Sequence, residues 1–67
     1  MKNRLIEYRK KYGYSQDTLA ELLNVSRQTV ISIEKGKYNP SLPLALAIAK
    51  TFHTTVENMF YEDENER

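Results

Sequence analysis

The sequence predicts an all-α domain of five helices and no strand. Apolar residues recur at the three- and four-residue spacing of a helix face in several short runs. Residues that cap or break helices, chiefly Ser, Thr, Asn, Gly and Pro, lie between these runs. The chain of 67 residues contains no Cys and one His, which leaves neither a disulfide nor a His/Cys zinc site to stabilise it. Its stability must therefore come from the packing of helices.

The first helix is predicted over residues 2–11. Leu5, Tyr8 and Tyr12 follow the spacing of one helix face, so they are expected to point into the core. Gly13 follows, and glycine is the residue that most often ends a helix in the left-handed conformation. The basic side chains of this segment are then left on the outer face, namely Lys2, Arg4, Lys10 and Lys11.

Residues 16–34 indicate two short helices joined by a sharp turn. Ser15 is a good N-cap for the first of them and Ser26 for the second. Asn24 lies in the turn and tolerates the left-handed conformation that a residue after a helix often adopts. Such a helix–turn–helix unit can insert its second helix into the major groove of DNA. The inner faces of the two helices are apolar and contain Leu19, Ala20, Leu23, Val30 and Ile33.

The outer face of the second helix, residues 27–34, carries polar side chains mostly toward its N-terminal end. Arg27 can donate two hydrogen bonds to guanine and Gln28 can pair with adenine, so both are predicted to read base edges. Thr29 and Ser32 would add hydrogen bonds or contacts with a thymine methyl group. The alternative is that these side chains are solvated surface residues without a ligand.

The pattern Q-x-x-L-A-x-x-x-x-V-S-x-x-x-V-x-x-I-E-x-G over residues 16–36 resembles the Cro/CI-type helix-turn-helix of phage repressors and bacterial XRE-type regulators. The resemblance continues through N-P-S-L at 39–42 and I-A-K at 48–50, and it covers roughly residues 2–61. It implies a five-helix, phage-repressor-like (lambda repressor-like) fold and a sequence-specific regulator that binds double-stranded DNA, with a repressor as the leading expectation. Asn24 stands where the family usually has Gly, and Asn is the mildest replacement at a positive-φ site.

Further site residues follow from this resemblance. It pairs Arg9 with Glu34, which would tie the first helix to the end of the helix at residues 27–34, the reading helix. The alternative leaves both side chains exposed and unpaired. Gln16 matches a position that touches the DNA backbone, and it lies at the positive end of a helix, where phosphate binds well. Its alternative role is to start the helix without a ligand. Lys37 and Asn39, in the loop after the reading helix, are expected to hold DNA phosphates, although charged loop residues are often only solvated.

Ser41 is predicted to cap a helix over residues 42–52. That helix is apolar over more than half of its circumference, which is typical of a buried helix at the centre of a domain. His53 follows at a helix end where the family usually has Gly, and we interpret it as a C-cap residue. The apolar positions of the helix are Leu42, Ala45, Leu46, Ile48, Ala49 and Phe52.

A short last helix is predicted to begin after Thr54 or Thr55 and to run through Phe60. Its apolar side chains exceed what one face of so short a helix needs. Either they complete the monomer core or they form a small self-complementary patch that supports a weak homodimer. An acidic tail over residues 62–67 is expected to fray beyond a single domain of residues 1–61. The candidate patch consists of Val56, Met59, Phe60 and Tyr61.

Charge is distributed unevenly along the chain. Residues 1–50 contain nine Lys and Arg against four Asp and Glu, whereas residues 51–67 contain one Arg and five acids. A basic body with an acidic end can orient a protein on a polyanion, although the same charges also suit an ordinary soluble surface. The longest apolar run, 42–49, is too short to span a bilayer and the N-terminus lacks a signal-peptide core, so a cytoplasmic protein is expected.

No catalytic arrangement stands out in the sequence. The single His has no nucleophile placed with it, and there is no Gly-rich phosphate loop. Neither an enzyme nor a protein with a cofactor, a metal or a small-molecule ligand is therefore expected. The leading prediction is a DNA-binding repressor. The alternative is a protein-interaction module on the same scaffold, such as an antitoxin or a regulatory subunit, which would use the apolar C-terminal end instead of the reading helix.

Overall fold

Five helices and one antiparallel pair of short strands make up the protein in a computed structural model that describes residues 1–62. The all-α class and the five helices are confirmed. The predicted acidic tail lies, apart from Glu62, outside the described residues. The strands are β1 (Lys2–Asn3) and β2 (Phe60–Tyr61). The helices are α1 (Leu5–Lys11), α2 (Gln16–Leu23), α3 (Arg27–Glu34), α4 (Leu42–Thr51) and α5 (Val56–Met59).

The prediction that the chain contains no strand is wrong, because the two ends of the domain pair with each other. β1 and β2 run antiparallel in the register that sets Lys2 opposite Tyr61 and Asn3 opposite Phe60. The first helix therefore begins at residue 5 instead of residue 2, and the last helix ends at residue 59, before Phe60.

The Asn3 side chain explains why the N-terminal segment is extended and not helical. Its Nδ2 donates a hydrogen bond to the carbonyl oxygen of Ile33 at 2.9 Å, and its Oδ1 accepts one from the Leu5 backbone N–H at 3.0 Å. The backbone N–H of Arg4 donates to the carbonyl oxygen of Met59 at 2.9 Å, which extends the contact between the chain ends. One bond to α3 and one to α5 thus hold the N-terminal segment in place, and the bond from Leu5 caps the start of α1.

Local capping sets the remaining helix boundaries. In four helices the capping hydroxyl accepts a hydrogen bond from the backbone N–H three residues further on. Asn24 after α2 and His53 after α4 have φ angles of 57° and 53°, the left-handed conformation predicted for a residue that ends a helix. The capping residues are Ser15, Ser26, Ser41 and Thr55.

One continuous core contains every apolar residue predicted for the two helices of the helix–turn–helix unit. Phe52 is at its centre, and its ring lies 5.1 Å from the ring of Tyr12 and 5.7 Å from that of Tyr8 between centroids. No helix within residues 1–62 is long and apolar enough to cross a membrane. The buried members of the core cluster are Leu5, Leu19, Ala20, Leu23, Val30, Ile33, Ile48, Phe52 and Met59.

α4 departs from the prediction of a helix buried over most of its circumference. Leu42 and Leu46 are 66% and 54% exposed, whereas Ala45, Ile48 and Ala49 are buried. The reason is that α2 and α5 pack against α4 on its inner side only. The domain is too small to supply a second layer, so α4 keeps a strip of leucine on its surface.

The C-terminal residues also depart from the candidate dimer patch. Met59 is 0% exposed, and Phe60 is partly buried against the core. The Tyr61 ring lies under the Arg4 guanidinium, 4.4 Å from the carbon of that group to the ring centroid. Met59 is therefore a core residue with no surface to offer to a second copy. Val56 is partly exposed beside the surface strip of α4.

Candidate nucleic-acid interface

α3 is held in the domain by its inner face. Val30 and Ile33 are both 0% exposed in the core. The Ser26 hydroxyl caps the helix by accepting from the Thr29 backbone N–H at 3.1 Å, and it also lies 2.9 Å from the Thr29 hydroxyl. Apolar anchoring on one side and capping at the start fix the opposite face of α3 rigidly toward solvent.

The four predicted base readers lie on α3 outside the core. Arg27 and Gln28, in the first turn, are exposed, whereas Thr29 and Ser32 are half-buried. The Gln28 amide nitrogen reaches the Ser32 hydroxyl at 3.4 Å, a long and weak hydrogen bond. These side chains are accessible and only weakly held, so a ligand can replace their present contacts at little cost.

Arg27 leans back toward α2. Its Nε lies 3.5 Å from Asp17 Oδ1, and its Nη2 donates to the Gln16 side-chain oxygen at 3.3 Å. Exposed ion pairs of this kind contribute little to stability, so the guanidinium can exchange these partners for a ligand. Neither contact follows from the helical pattern of the sequence. The available signal was that Asp17 and Arg27 both lie in the first turn of consecutive helices.

The Arg9–Glu34 ion pair predicted from the resemblance is present. Arg9 Nε lies 2.6 Å from Glu34 Oε2, and the two side chains are only 14% and 4% exposed. The Arg9 guanidinium also donates to the Tyr14 carbonyl oxygen at 3.1 Å. Because this ion pair is well buried and both carboxylate oxygens of Glu34 accept hydrogen bonds, it fixes α1 against the C-terminal end of α3.

Gln16 extends this network from Glu34 to Arg27. Its Nε2 donates to Glu34 Oε1 at 3.0 Å, while its Oε1 accepts from Arg27. The amide is therefore oriented by an anion on one side and a cation on the other. Because an amide nitrogen carries two hydrogens, one N–H of Gln16 remains for a further acceptor.

The loop between α3 and α4 is hydrogen-bonded to α3. The backbone N–H groups of Lys37 and Tyr38 donate to the Ser32 carbonyl oxygen at 3.0 and 3.3 Å. Gly36 adopts a φ of 74°, the left-handed conformation that lets the chain turn back along α3. The side chains of Lys37 and Asn39 are exposed beside this helix.

Within residues 1–62, no group of three or more His, Cys, Asp or Glu residues is placed to hold a metal ion.

A family model described as helix-turn-helix matches residues 5–57. The uncharacterized HTH-type transcriptional regulator MJ0272 of Methanocaldococcus jannaschii is 55% identical over 65 residues, which cover 96% of this chain and 98% of that protein. The uncharacterized HTH-type transcriptional regulator YgzD of Bacillus subtilis is 53% identical over 66 residues, covering 97% of this chain and all of that protein.

Solved structures share the same architecture. The restriction-modification controller protein C.AhdI from Aeromonas hydrophila superposes with a TM-score of 0.76 at 37% identity, over 85% of this chain and 86% of that one. SinR, in a complex with SinI, superposes with a TM-score of 0.78 at 29% identity, over 96% of this chain and 63% of the other.

Proposed function

The chain belongs to the XRE-type helix-turn-helix family of DNA-binding transcriptional regulators, and we propose that it is a sequence-specific repressor that reads the major groove with α3. The family is not an enzyme family. Repression would follow from occupation of a promoter site, where a bound protein blocks access of the transcription machinery.

One observation carries this proposal. α3 presents an arginine and a glutamine, both exposed, in its first turn, on a helix whose other face is locked into the core. Arginine recognises guanine and glutamine recognises adenine through paired hydrogen bonds, which work only when the helix supplies a fixed geometry. We assign base reading to Arg27 and Gln28, with Thr29 and Ser32 contributing contacts deeper along the helix.

Phosphate binding is assigned to the two flanks of α3. On one flank, Gln16 is at the N-terminus of α2 with one amide N–H still to donate, beside the positive end of the helix dipole. On the other flank, Lys37 and Asn39 are exposed on a loop that is bonded to α3 itself. Contacts on both sides would hold the helix in register while its side chains meet the bases.

A weak homodimer is part of the proposal. We propose that the two copies meet at the exposed leucine strip of α4 and not at the C-terminal patch predicted from the sequence. Leu46 and Val56 line one open groove of about 580 Å³, and Leu42 lies one helical turn before Leu46. Lys50 and Glu57 border the same groove. Across a two-fold axis, the lysine of one copy would face the glutamate of the other, so the surface is complementary to itself.

The alternative, a protein-interaction module, would use this same apolar groove for a different partner. Binding to DNA separates the two proposals. Selection of bound duplexes from a random pool should return one preferred motif. The logarithm of the binding constant for that motif should fall linearly with the logarithm of the salt concentration, with a slope of about −0.9 per phosphate contacted. Failure to bind any duplex at low salt, together with a preserved fold, would favour the interaction module.

A DNA-binding protein of this kind would act in the cytoplasm.

A further inference from the structure

A shallow depression lies between the outer face of α3 and the loop that follows it. It encloses about 230 Å³ and is open to solvent. Three of the residues around it are proposed base readers, and one is an aromatic residue of the following loop to which no role has been given. The lining residues are Ser26, Gln28, Thr29, Ser32 and Tyr38.

Tyr38 forms the outer wall of this depression, and its position is fixed by the helix that it faces. Its backbone N–H and that of Lys37 share the Ser32 carbonyl oxygen as acceptor, so the loop cannot move independently of α3. The side chain is nevertheless 46% exposed. The backbone bonds therefore place this exposed aromatic side chain beside α3, outside the core.

Some of the polar atoms around the depression pair with one another. The Ser26 and Thr29 hydroxyls lie 2.9 Å apart, and the Gln28 amide nitrogen donates to the Ser32 hydroxyl. Much of the remaining lining is carbon, from the tyrosine ring and the aliphatic parts of the other side chains. Because none of the lining residues carries a charge, the depression suits an apolar group better than a phosphate.

We propose that Tyr38 is a specificity-determining residue whose ring completes a binding pocket for the 5-methyl group of a thymine. The proposal rests on the proposed function, because it requires α3 to lie in the major groove. There the thymine methyl is the one apolar group on a base edge, and aliphatic and aromatic side chains recognise it by contact. Tyr38 would thus add preference for thymine at one position beyond those read by Arg27.

The test removes one methyl group from the DNA and one ring from the protein. After selection of a preferred site, each thymine in turn is replaced by deoxyuridine, which lacks only the 5-methyl group. For the wild type, one replacement should weaken binding by about three- to fivefold, the size expected for burial of a single methyl group. Tyr38→Ala should bind the thymine site more weakly and should no longer respond to that replacement. Tyr38→Phe, which keeps the ring, should respond like the wild type.

The outcomes separate this inference from the proposed function. If the wild type selects a site but Tyr38→Ala responds to every deoxyuridine as the wild type does, the pocket assignment is overturned. A uniform loss for Tyr38→Ala on all duplexes would also overturn it, because it would place the ring against the DNA backbone. If the wild type selects no site, the proposed function itself fails. Circular dichroism melting of each variant verifies that the fold is retained.

Discussion

His53 is one of two non-glycine residues with a positive φ among residues 1–62; the other is Asn24. The left-handed conformation costs a residue with a Cβ roughly 1–2 kcal/mol, and Asn bears it better than most because its side chain bonds locally. His is also found at positive φ more often than most residues, but it still carries the Cβ that Gly lacks. Asn24 and His53 each follow the end of a helix, where the left-handed conformation turns the chain out of the helix.

Replacing His53 with Gly should therefore stabilise the domain. Relief of the left-handed strain, reduced by the extra freedom of Gly in the unfolded chain, leaves a gain of about 0.5–1 kcal/mol. Gly13→Ala is the matched control: its φ is 74° and no atom lies within 4 Å of the added Cβ, so its cost is conformational alone. Urea unfolding at low protein concentration measures both. A His53→Gly protein less stable than the wild type would show that the imidazole contributes something that the backbone argument omits.

Arg27 and Lys37 should differ in what they contribute to DNA binding. Arg27→Ala should lose roughly 1–3 kcal/mol on the preferred site and should relax the preference at one base pair. Lys37→Ala should weaken binding to all sequences about equally and lower the salt slope by about one. Competition binding against a panel of single-base variants makes the comparison. If both substitutions change the sequence preference in the same way, the division between base reading and phosphate binding is wrong.

Single residues were predictable where their cause is local. A serine or threonine cap bonds a backbone group three residues further on, so Ser15, Ser26 and Ser41 could be assigned from their neighbours. The contact of Arg27 with Asp17 was not predictable in the same way, because it depends on the angle between two helices. The pairing of Arg9 with Glu34 came from the family resemblance alone.

At the scale of elements, the pairing of β1 with β2 is the main addition to the predicted fold. Two residues per strand are too few to show the alternating pattern that reveals a strand in a sequence. The pairing also joins residues from nearly opposite ends of the chain, with Lys2 opposite Tyr61. The burial of α4 was overestimated for a different reason. The sequence shows how many residues of a helix are apolar, but the neighbouring helices determine how many of them are covered.

Asn3 should be important for this terminal pairing. Asn3→Ala removes a hydrogen bond to the Ile33 carbonyl and another to the Leu5 N–H, both partly buried, and should cost about 1–3 kcal/mol. Asn39→Ala is the control, since substitution of an exposed loop residue should stay within about 0.5 kcal/mol. Thermal unfolding compares the two. Equal melting temperatures for Asn3→Ala and the wild type would mean that the terminal strands add nothing to stability.

For the whole molecule, the proposed DNA face and the proposed dimer surface lie on different elements. α3 and its flanking loop form the proposed DNA face, while Leu42 and Leu46 remain exposed on α4. A single small domain contacts too few bases to select one site, so two copies with reading helices about 34 Å apart would be needed. The α4 strip is small, and binding to adjacent half-sites would reinforce a contact that is weak in free solution.

This arrangement predicts that Leu46→Ser abolishes self-association without unfolding the domain, because that side chain is 54% exposed and contributes little to the core. Leu22→Ser is the matched control, since Leu22 is 55% exposed on α2, outside the α4 strip. Sedimentation equilibrium over a wide concentration range should show a weak dimer for the wild type and Leu22→Ser, and a monomer for Leu46→Ser. On a duplex with two half-sites, Leu46→Ser should lose cooperativity while keeping its affinity for one half-site. If the two serine variants associate alike, α4 is not the dimer surface. A wild type that stays monomeric and binds both half-sites independently would end the dimer proposal altogether.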